Sequence, residues 1–278
     1  CWEAEETDTM PHKYPKEIQA RLRTECFGNE MLYKQCLPSS NKALMQISEG
    51  SASEGLLLVC EEQTAGRGRE NRPWFSPPGK NLYFSLLLRP SLPQRRLPEL
   101  ALLSAIALRR ALQQALPQTE FGLKWPNDLW LQGRKISGIL CESGMNAQHG
   151  LRAVIGIGLN VNCSIHDFPA ELQDKVTSLQ ICSGKKFNRA KLLAAILLQL
   201  EKYYQRWLQS DSLAPFLPEW EQADIFRGKT VCVKQTRQEV CGLSLGLAED
   251  GRLKIQLPDG SIKLISSGDA QQSRISPS

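Results

Sequence analysis

Residues 62–88 read EQTAGRGRENRPWFSPPGKNLYFSLLL, and the organisation of the chain follows from them. An apolar run, Leu56-Leu57-Leu58-Val59-Cys60, leads in and has the length of a buried strand. Loop chemistry follows, and a second strand pattern rich in aromatic and aliphatic residues occupies 81–89. Within the loop, Gly66 and Gly68 separate Arg67, Arg69 and Arg72. Glycine lets backbone amides approach an anion and tolerates positive φ. Arginine brings a fixed fork of donors matched to carboxylate and phosphate. The stretch is therefore a candidate anion clamp between two strands, with a merely solvated Arg/Gly loop as the alternative. A dinucleotide fingerprint is excluded, because Asn71 stands where its third glycine belongs and Pro73, Pro77 and Pro78 forbid the helix that must follow. A phosphate loop ending in Gly-Lys-Ser/Thr is excluded too, since Asn81 follows Gly79-Lys80.

Upstream, residues 1–14 lack periodicity and read as a mobile tail. A short helix is expected from Pro15, then Gly28 and an extended segment over 30–36. Pro38-Ser39-Ser40-Asn41 reads as a turn and helix cap before 42–49, because its side-chain oxygens can satisfy orphan backbone amides. Downstream, 97–116 has helical spacing and stops at Pro117. The next dense stretch, 121–142, reads FGLKWPNDLWLQGRKISGILCE. A strand ends at Lys124-Trp125-Pro126, Asn127-Asp128 turn, and a hairpin tip at Gln132-Gly133-Arg134 sends Lys135 into a strand holding Gly138. A strand glycine marks close approach of a ligand or of another backbone. Residues 152–162, RAVIGIGLNVN, form a third glycine-punctuated strand: Gly156 and Gly158 leave one face bare, a floor for something flat or for tight packing. Residues 187–208 form a long amphipathic helix with Tyr203 and Trp207 in the core. From Arg227 the texture changes to short β patterns joined by Asp-Gly turns, a small barrel or sandwich. The boundaries expected are a tail at 1–14, one domain at 15–222 and a second at 223–278.

Composition narrows the function class. The chain has 278 residues and a net charge of +5, which permits acidic partners without demanding nucleic acid. No apolar run reaches membrane-spanning length. Nine cysteines with no C-x-x-C pair favour free thiols in a reducing compartment, and a cytoplasmic location is expected. With only His12, His149 and His166, and no close His/Cys spacing, a zinc site is not expected.

Taken together these stretches resemble biotin–protein ligases, which activate biotin with ATP and transfer it to a carrier lysine. The features stand in the family's order over about residues 15–275: Ser39-Ser40-Asn41; Gln63 with Gly66-Arg67-Gly68-Arg69 and Arg72-Pro73-Trp74; Lys124-Trp125-Pro126-Asn127-Asp128 with Lys135; residues 156–160; and a β module ending in Ser267-Gly268-Asp269. The resemblance implies an α+β fold, with a mixed-sheet catalytic domain related to class II aminoacyl-tRNA synthetases, followed by a small SH3-like β-barrel. It implies that Ser39, Ser40, Asn41, Gln63, Gly66, Arg67, Gly68, Arg69, Lys135 and Gly138 bind biotin. It places Arg69, Arg72, Trp74, Lys124, Asn127, Asp128, Lys135 and Asn160 around ATP, with Trp74 as a stacking face. Lys135, Arg69 and Asp128 would be catalytic, and Asp128 an indirect site for Mg²⁺. The implied partner is a biotin carboxyl carrier protein or domain, with the ligase a monomer or homodimer. Four positions depart from the family pattern: Glu70-Asn71 replaces a basic residue and a glycine, serine stands at 40 where threonine is common, and Pro38 replaces an acidic residue. About 30 residues precede the catalytic pattern, too few for a helix-turn-helix module and linker, so sequence-specific DNA binding is not expected. A basic nucleic-acid-binding module and a non-catalytic biotin binder are the competing readings. The first leaves the KWPND stretch and the bare strand unexplained.

Overall fold

The computed structural model describes residues 13–146, 150–235 and 238–273. Most of the expected tail, with His12 and His149, lies outside the described residues; Lys13 and Tyr14 open helix α1 (Lys13–Gln19). Then come β1 (Met31–Leu37), α2 (Ser40–Ile47), β2 (Leu57–Gln63), β3 (Leu82–Leu88) and α3 (Glu99–Ala115). β4 (Phe121–Lys124), β5 (Asp128–Leu131), β6 (Arg134–Asn146) and β7 (Gly150–Leu159) form a meander. Short helices α4 (Ala170–Gln173) and α5 (Leu179–Ser183) lead to the long α6 (Arg189–Leu208) and to α7 (Leu217–Glu221). The chain ends in β8 (Thr230–Lys234), β9 (Glu239–Leu247), β10 (Leu253–Gln256), β11 (Ile262–Ile265) and β12 (Asp269–Gln272).

The first sheet has seven strands in the order β1-β2-β3-β7-β6-β5-β4. β1 and β2 are parallel and every other neighbouring pair is antiparallel, so the sheet is mixed. Both faces of its centre are covered, as the continuous burial of β3, apolar but for Ser85, shows. Strand alternation sorts the side chains. Leu57, Val59, Phe84, Leu86, Ile155 and Ile157 join the large core against α3 and α6. Leu58, Cys60, Tyr83, Leu87 and Val154 face the other way, against Leu44 of α2. On that α2 face the cross-strand rows run Ser85–Gly156–Leu140 and Tyr83–Gly158–Gly138. Glycine in both rows leaves a depression in the sheet, and the functional site occupies it.

The second sheet is antiparallel throughout, ordered β11-β10-β9-β8-β12. Its inward residues Val231, Val233, Leu253, Ile255 and Ile265 belong to the same continuous core as the first domain. The β9–β10 turn inserts between elements of that domain: Trp125 Nε1 donates to the Gly251 carbonyl at 3.1 Å, and Leu213 N donates to the Glu249 carbonyl at 2.9 Å. Residues 223–225 run alongside β4, exchanging backbone hydrogen bonds with Leu123. One expectation needs correction. Cys232 and Cys241 form a disulfide rather than free thiols, because β8 and β9 place them directly opposite one another. Cys26, Cys36, Cys60, Cys141, Cys163 and Cys182 are free. Among the described residues no helix is long and apolar enough to cross a membrane.

Candidate active site

At one end of the depression, the start of α2 builds a polar corner. Ser39 is the N-cap and its hydroxyl accepts from Lys42 N, so the capping role predicted for this tripeptide falls to its first residue. Ser40 and Asn41 are thereby left to face inward, both 4% exposed. Ser40 N and Oγ donate to Gln63 Oε1 at 2.9 and 3.1 Å, and Gln63 Nε2 reaches Ser76 Oγ at 3.2 Å. Ser85 Oγ lies 2.8 Å from Ser40 Oγ and 2.7 Å from Asn41 Oδ1. Asn41 Nδ2 donates to the Leu140 carbonyl at 3.2 Å and to Glu142 Oε2 at 2.9 Å. A Cβ on Gly156 would stand 2.1 Å from Asn41 Oδ1, so glycine is what lets this amide lie against the sheet.

The glycine-arginine loop crosses the other end. Gly68 N bonds the Arg72 carbonyl and Trp74 N bonds the Gly66 carbonyl, both at 2.8 Å, which folds the loop back on itself. Its tip, Glu70 and Asn71, has φ of +56° at both residues, the region where glycine is ordinarily favoured. The family's glycine at 71 would relieve that strain at one of them. The cations of the site each have a partner. Arg67 Nη2 meets Glu142 Oε1 at 2.9 Å, Arg72 Nη1 meets Asp269 Oδ2 at 2.8 Å, and Lys124 Nζ meets Asp269 Oδ1 at 3.3 Å. Lys135 Nζ meets Asp128 Oδ1 at 2.7 Å. Arg69 Nη1 has only the Gly268 carbonyl, at 3.3 Å. Burial pushes the Arg69 guanidinium below its ordinary pKa, opposed by the charges of Glu70, Asp128 and Asp269.

The floor seen in the glycine strand is filled by the protein's own flat group. A Cβ on Gly158 would meet Trp74 Nε1 at 2.4 Å, and one on Gly138 would meet the Trp74 ring at 3.1 Å and Lys135 Nζ at 3.3 Å. Trp74 thus lies on the sheet with Lys135 Nζ 5.3 Å from its ring centre. The Lys135 backbone is held by residues after β7: its amide bonds the Lys175 carbonyl and its carbonyl accepts from Thr177 N, both at 2.9 Å.

One cavity is lined by Ser39, Ser40, Asn41, Gln63, Arg67, Gly68, Arg69, Arg72, Trp74, Asn127, Asp128, Lys135 and Gly138. Lys124 and Asn160 line a second, more open cleft that shares Arg72, Trp74, Asp128, Lys135 and Asp269 with the first. Gly66 sits behind the loop, where a Cβ would strike the Trp74 carbonyl at 2.7 Å. Asn127 and Asn160 have amides already engaged, Asn127 Nδ2 with the Ile139 carbonyl at 2.7 Å and Asn160 Nδ2 with the Thr177 carbonyl at 3.0 Å. These bonds fix the two amides in the walls of their cavities.

Polar corner, cationic loop and glycine depression form a single arrangement around one cavity. Residues 33–160 match the profile of the biotin/lipoate A/B protein ligase family, and residues 226–271 match that of the biotin protein ligase C-terminal domain. The bifunctional ligase/repressor BirA of Bacillus subtilis is 36% identical over 256 residues, covering 92% of this chain and 78% of that protein. A biotin–[acetyl-CoA-carboxylase] ligase of Mycobacterium tuberculosis is 28% identical over 230 residues, covering 81% and 82%. The structure of the Aquifex aeolicus biotin protein ligase in complex with biotin and ATP superposes with a TM-score of 0.76 at 30% identity, covering 88% of this chain and 100% of that one.

The chain belongs to the biotin/lipoate protein ligase family.

Three side chains that touch this family member's site stand outside the site residues expected from the motifs. Ser85, Glu142 and Asp269 all touch residues that the reading did select. Ser85 and Glu142 sit inside apolar strands, and their direction follows only from strand register. Alternation from Gly138 would have placed Leu140 and Glu142 on the site face. Asp269 was visible as the end of the C-terminal module, but its reach into the cleft depends on docking of the second domain.

Proposed function

We propose that the protein activates biotin with ATP to biotinyl-5′-AMP and then passes the biotin to a lysine of a biotin carboxyl carrier domain. The observation that carries this reading is a single cavity with neutral paired donors and acceptors at one end and Arg67, Arg69 and Lys135 at the other. A cyclic urea needs the first and a carboxylate facing a phosphate needs the second.

The chemistry follows from charge and proximity. A carboxylate and a triphosphate repel one another, so cations must gather them, and holding them together makes the attack effectively unimolecular. The biotin carboxylate oxygen attacks the α-phosphorus and pyrophosphate leaves. Arg69 and Lys135 stabilise charge growing on the phosphoryl oxygens. Trp74 walls the cleft above the sheet, and the loop over the cavity keeps water from the mixed anhydride. In the second step the amine of the acceptor lysine attacks the acyl carbon and AMP leaves. Asp128 orients that amine and takes up its proton. The cleft shared by Asp128 and Lys135 gives the acceptor its approach.

Mg²⁺ fits the donors present. Asp128 Oδ1 is buried and paired with Lys135 Nζ at 2.7 Å, and its carboxylate is the kind of donor that Mg²⁺ takes singly or in pairs, with substrate phosphates for the rest. When bound it would neutralise charge on the departing pyrophosphate. The reading places the protein in the cytoplasm, where carrier domains, ATP and biotin meet.

Biotin-dependent exchange of labelled pyrophosphate into ATP tests the first step. Exchange is expected; binding of biotin without exchange would reduce the protein to a passive binder. Incubation with acceptor domains then tests transfer.

A further inference from the structure

We propose that Glu142 is the residue that fixes which ligand edge the biotin corner accepts, and that it couples this choice to the arginine loop. The inference rests on the biotin reading above and assigns a role within that site to a side chain no motif contains. Glu142 stands on β6 on the α2 face, two residues beyond Leu140. Its two carboxylate oxygens join two parts of the site: Oε2 accepts from Asn41 Nδ2 and Oε1 from Arg67 Nη2, each at 2.9 Å.

An asparagine amide can ordinarily sit either way round, and its orientation is set by its neighbours. Here the neighbours leave no choice. Asn41 Nδ2 has two hydrogens, and its two partners, the Glu142 carboxylate and the Leu140 carbonyl, can only accept. The nitrogen must therefore face β6, and Oδ1 must face Ser85 and lie over Gly156, at the wall of the cavity that Asn41 and Gly156 line. An oxygen presented there selects a ligand N–H and rejects a carbonyl. A cyclic urea offers such an N–H. The same carboxylate holds Arg67, whose Nε is buried with no partner and remains as an unused donor under the loop. Ureido recognition and the position of the loop arginine thus share one anion.

Glu142→Gln keeps the shape but replaces one acceptor oxygen by a donor, so it satisfies Asn41 or Arg67 and not both. In the pyrophosphate-exchange assay KM for biotin is expected to rise roughly tenfold or more, the scale of one buried hydrogen bond to a charged group left unmade. KM for ATP should stay near the parent value, which places the effect on the biotin side of the site. A biotin analogue methylated on its ureido nitrogens separates this role from simple propping. The parent rejects the analogue strongly, and Glu142→Gln should lose most of that discrimination. Parent-like KM and discrimination overturn the proposal, and so does an equal weakening toward biotin and analogue. Should the variant not fold, a neutron structure of the unaltered protein with biotin decides: Asn41 Oδ1 against the ureido N–H supports it, and Nδ2 in that place overturns it. An unaltered protein with no biotin-dependent exchange defeats the functional reading itself. Normal exchange with an indifferent Glu142→Gln removes only this inference.

Discussion

At the residue scale the site is a contest for anions among a few side chains. Lys135 and Arg69 are the cations to which the proposed reaction assigns growing negative charge, one over Trp74 and the other at the Gly268 carbonyl. Replacing either by alanine should lower adenylate formation by about 10²–10³-fold, the usual cost of losing one preorganised donor, with unaltered circular dichroism. Unchanged exchange rates would remove that residue from the mechanism. Gly158 makes a different kind of prediction. Gly158→Ala forces the Trp74 indole off the sheet, since the new methyl would stand 2.4 Å from Nε1. Overpacking of this sort costs about 1–3 kcal/mol and should appear as a raised KM for ATP. In a Trp74→Ala background the same change should cost little, because the two sites are in contact and their effects are not additive. Legibility was uneven at this scale. The arginines and glycines of 66–72 announce themselves by composition, whereas Glu142 is one acidic residue in an apolar strand. Only the β6–β7 register, pairing Glu142 with Val154 and Leu140 with Gly156, shows where it points.

At the element scale, helices α3 and α6 were readable from apolar spacing, and both lie within the limits expected, at Glu99–Ala115 and Arg189–Leu208. β12 was not read as a strand, because four polar-leaning residues, DAQQ, carry no alternation strong enough to announce one. It exists because β8 offers it an edge. The junction of α3 and α6 also hides a charged group that periodicity does not show. Glu99 accepts from Arg96 and, at 2.6 Å, from Trp207 Nε1, with Arg96 and Glu99 side chains 8% and 5% exposed. Such a pair need not add net stability, but breaking it leaves a buried charge. Glu99→Ala should therefore cost about 3–5 kcal/mol in urea unfolding, and replacing both partners by apolar residues should restore much of the loss. A loss of only a few tenths would mean that Arg96 finds water or another acceptor.

For the whole molecule, the C-terminal β domain is continuous with the first domain and contributes Asp269 to the wall of the candidate site. Its core is continuous with that of the first domain, and Asp269 reaches across to Arg72 and Lys124. Burial alone would raise the Asp269 carboxyl, but the hydrogen bond from Arg72 and the charge of Lys124 outweigh it and hold the pKa below the usual range. A carboxyl depressed in the folded state adds stability above its unfolded value, near 3.9, and loses it as pH falls through the folded value. Acid titration below about pH 4 should therefore weaken the domain contact in the parent more than in Asp269→Asn, measured as the pH dependence of unfolding free energy. Identical slopes would show that the contact carries no linked proton. The two-domain character was visible in the change of texture after Arg227. The shared core was not, since nothing local to the β9–β10 turn foretells that Gly251 receives the Trp125 indole.

The carboxylates beside Arg67, Arg72, Lys124 and Lys135 carry a last implication. A pocket of bare cations would hold its spent nucleotide tightly, and turnover would stall on release. On the proposed reaction, Glu142, Asp269 and Asp128 stand beside the guanidinium or ammonium that each departing anion would vacate, so release would draw on charges the protein already owns.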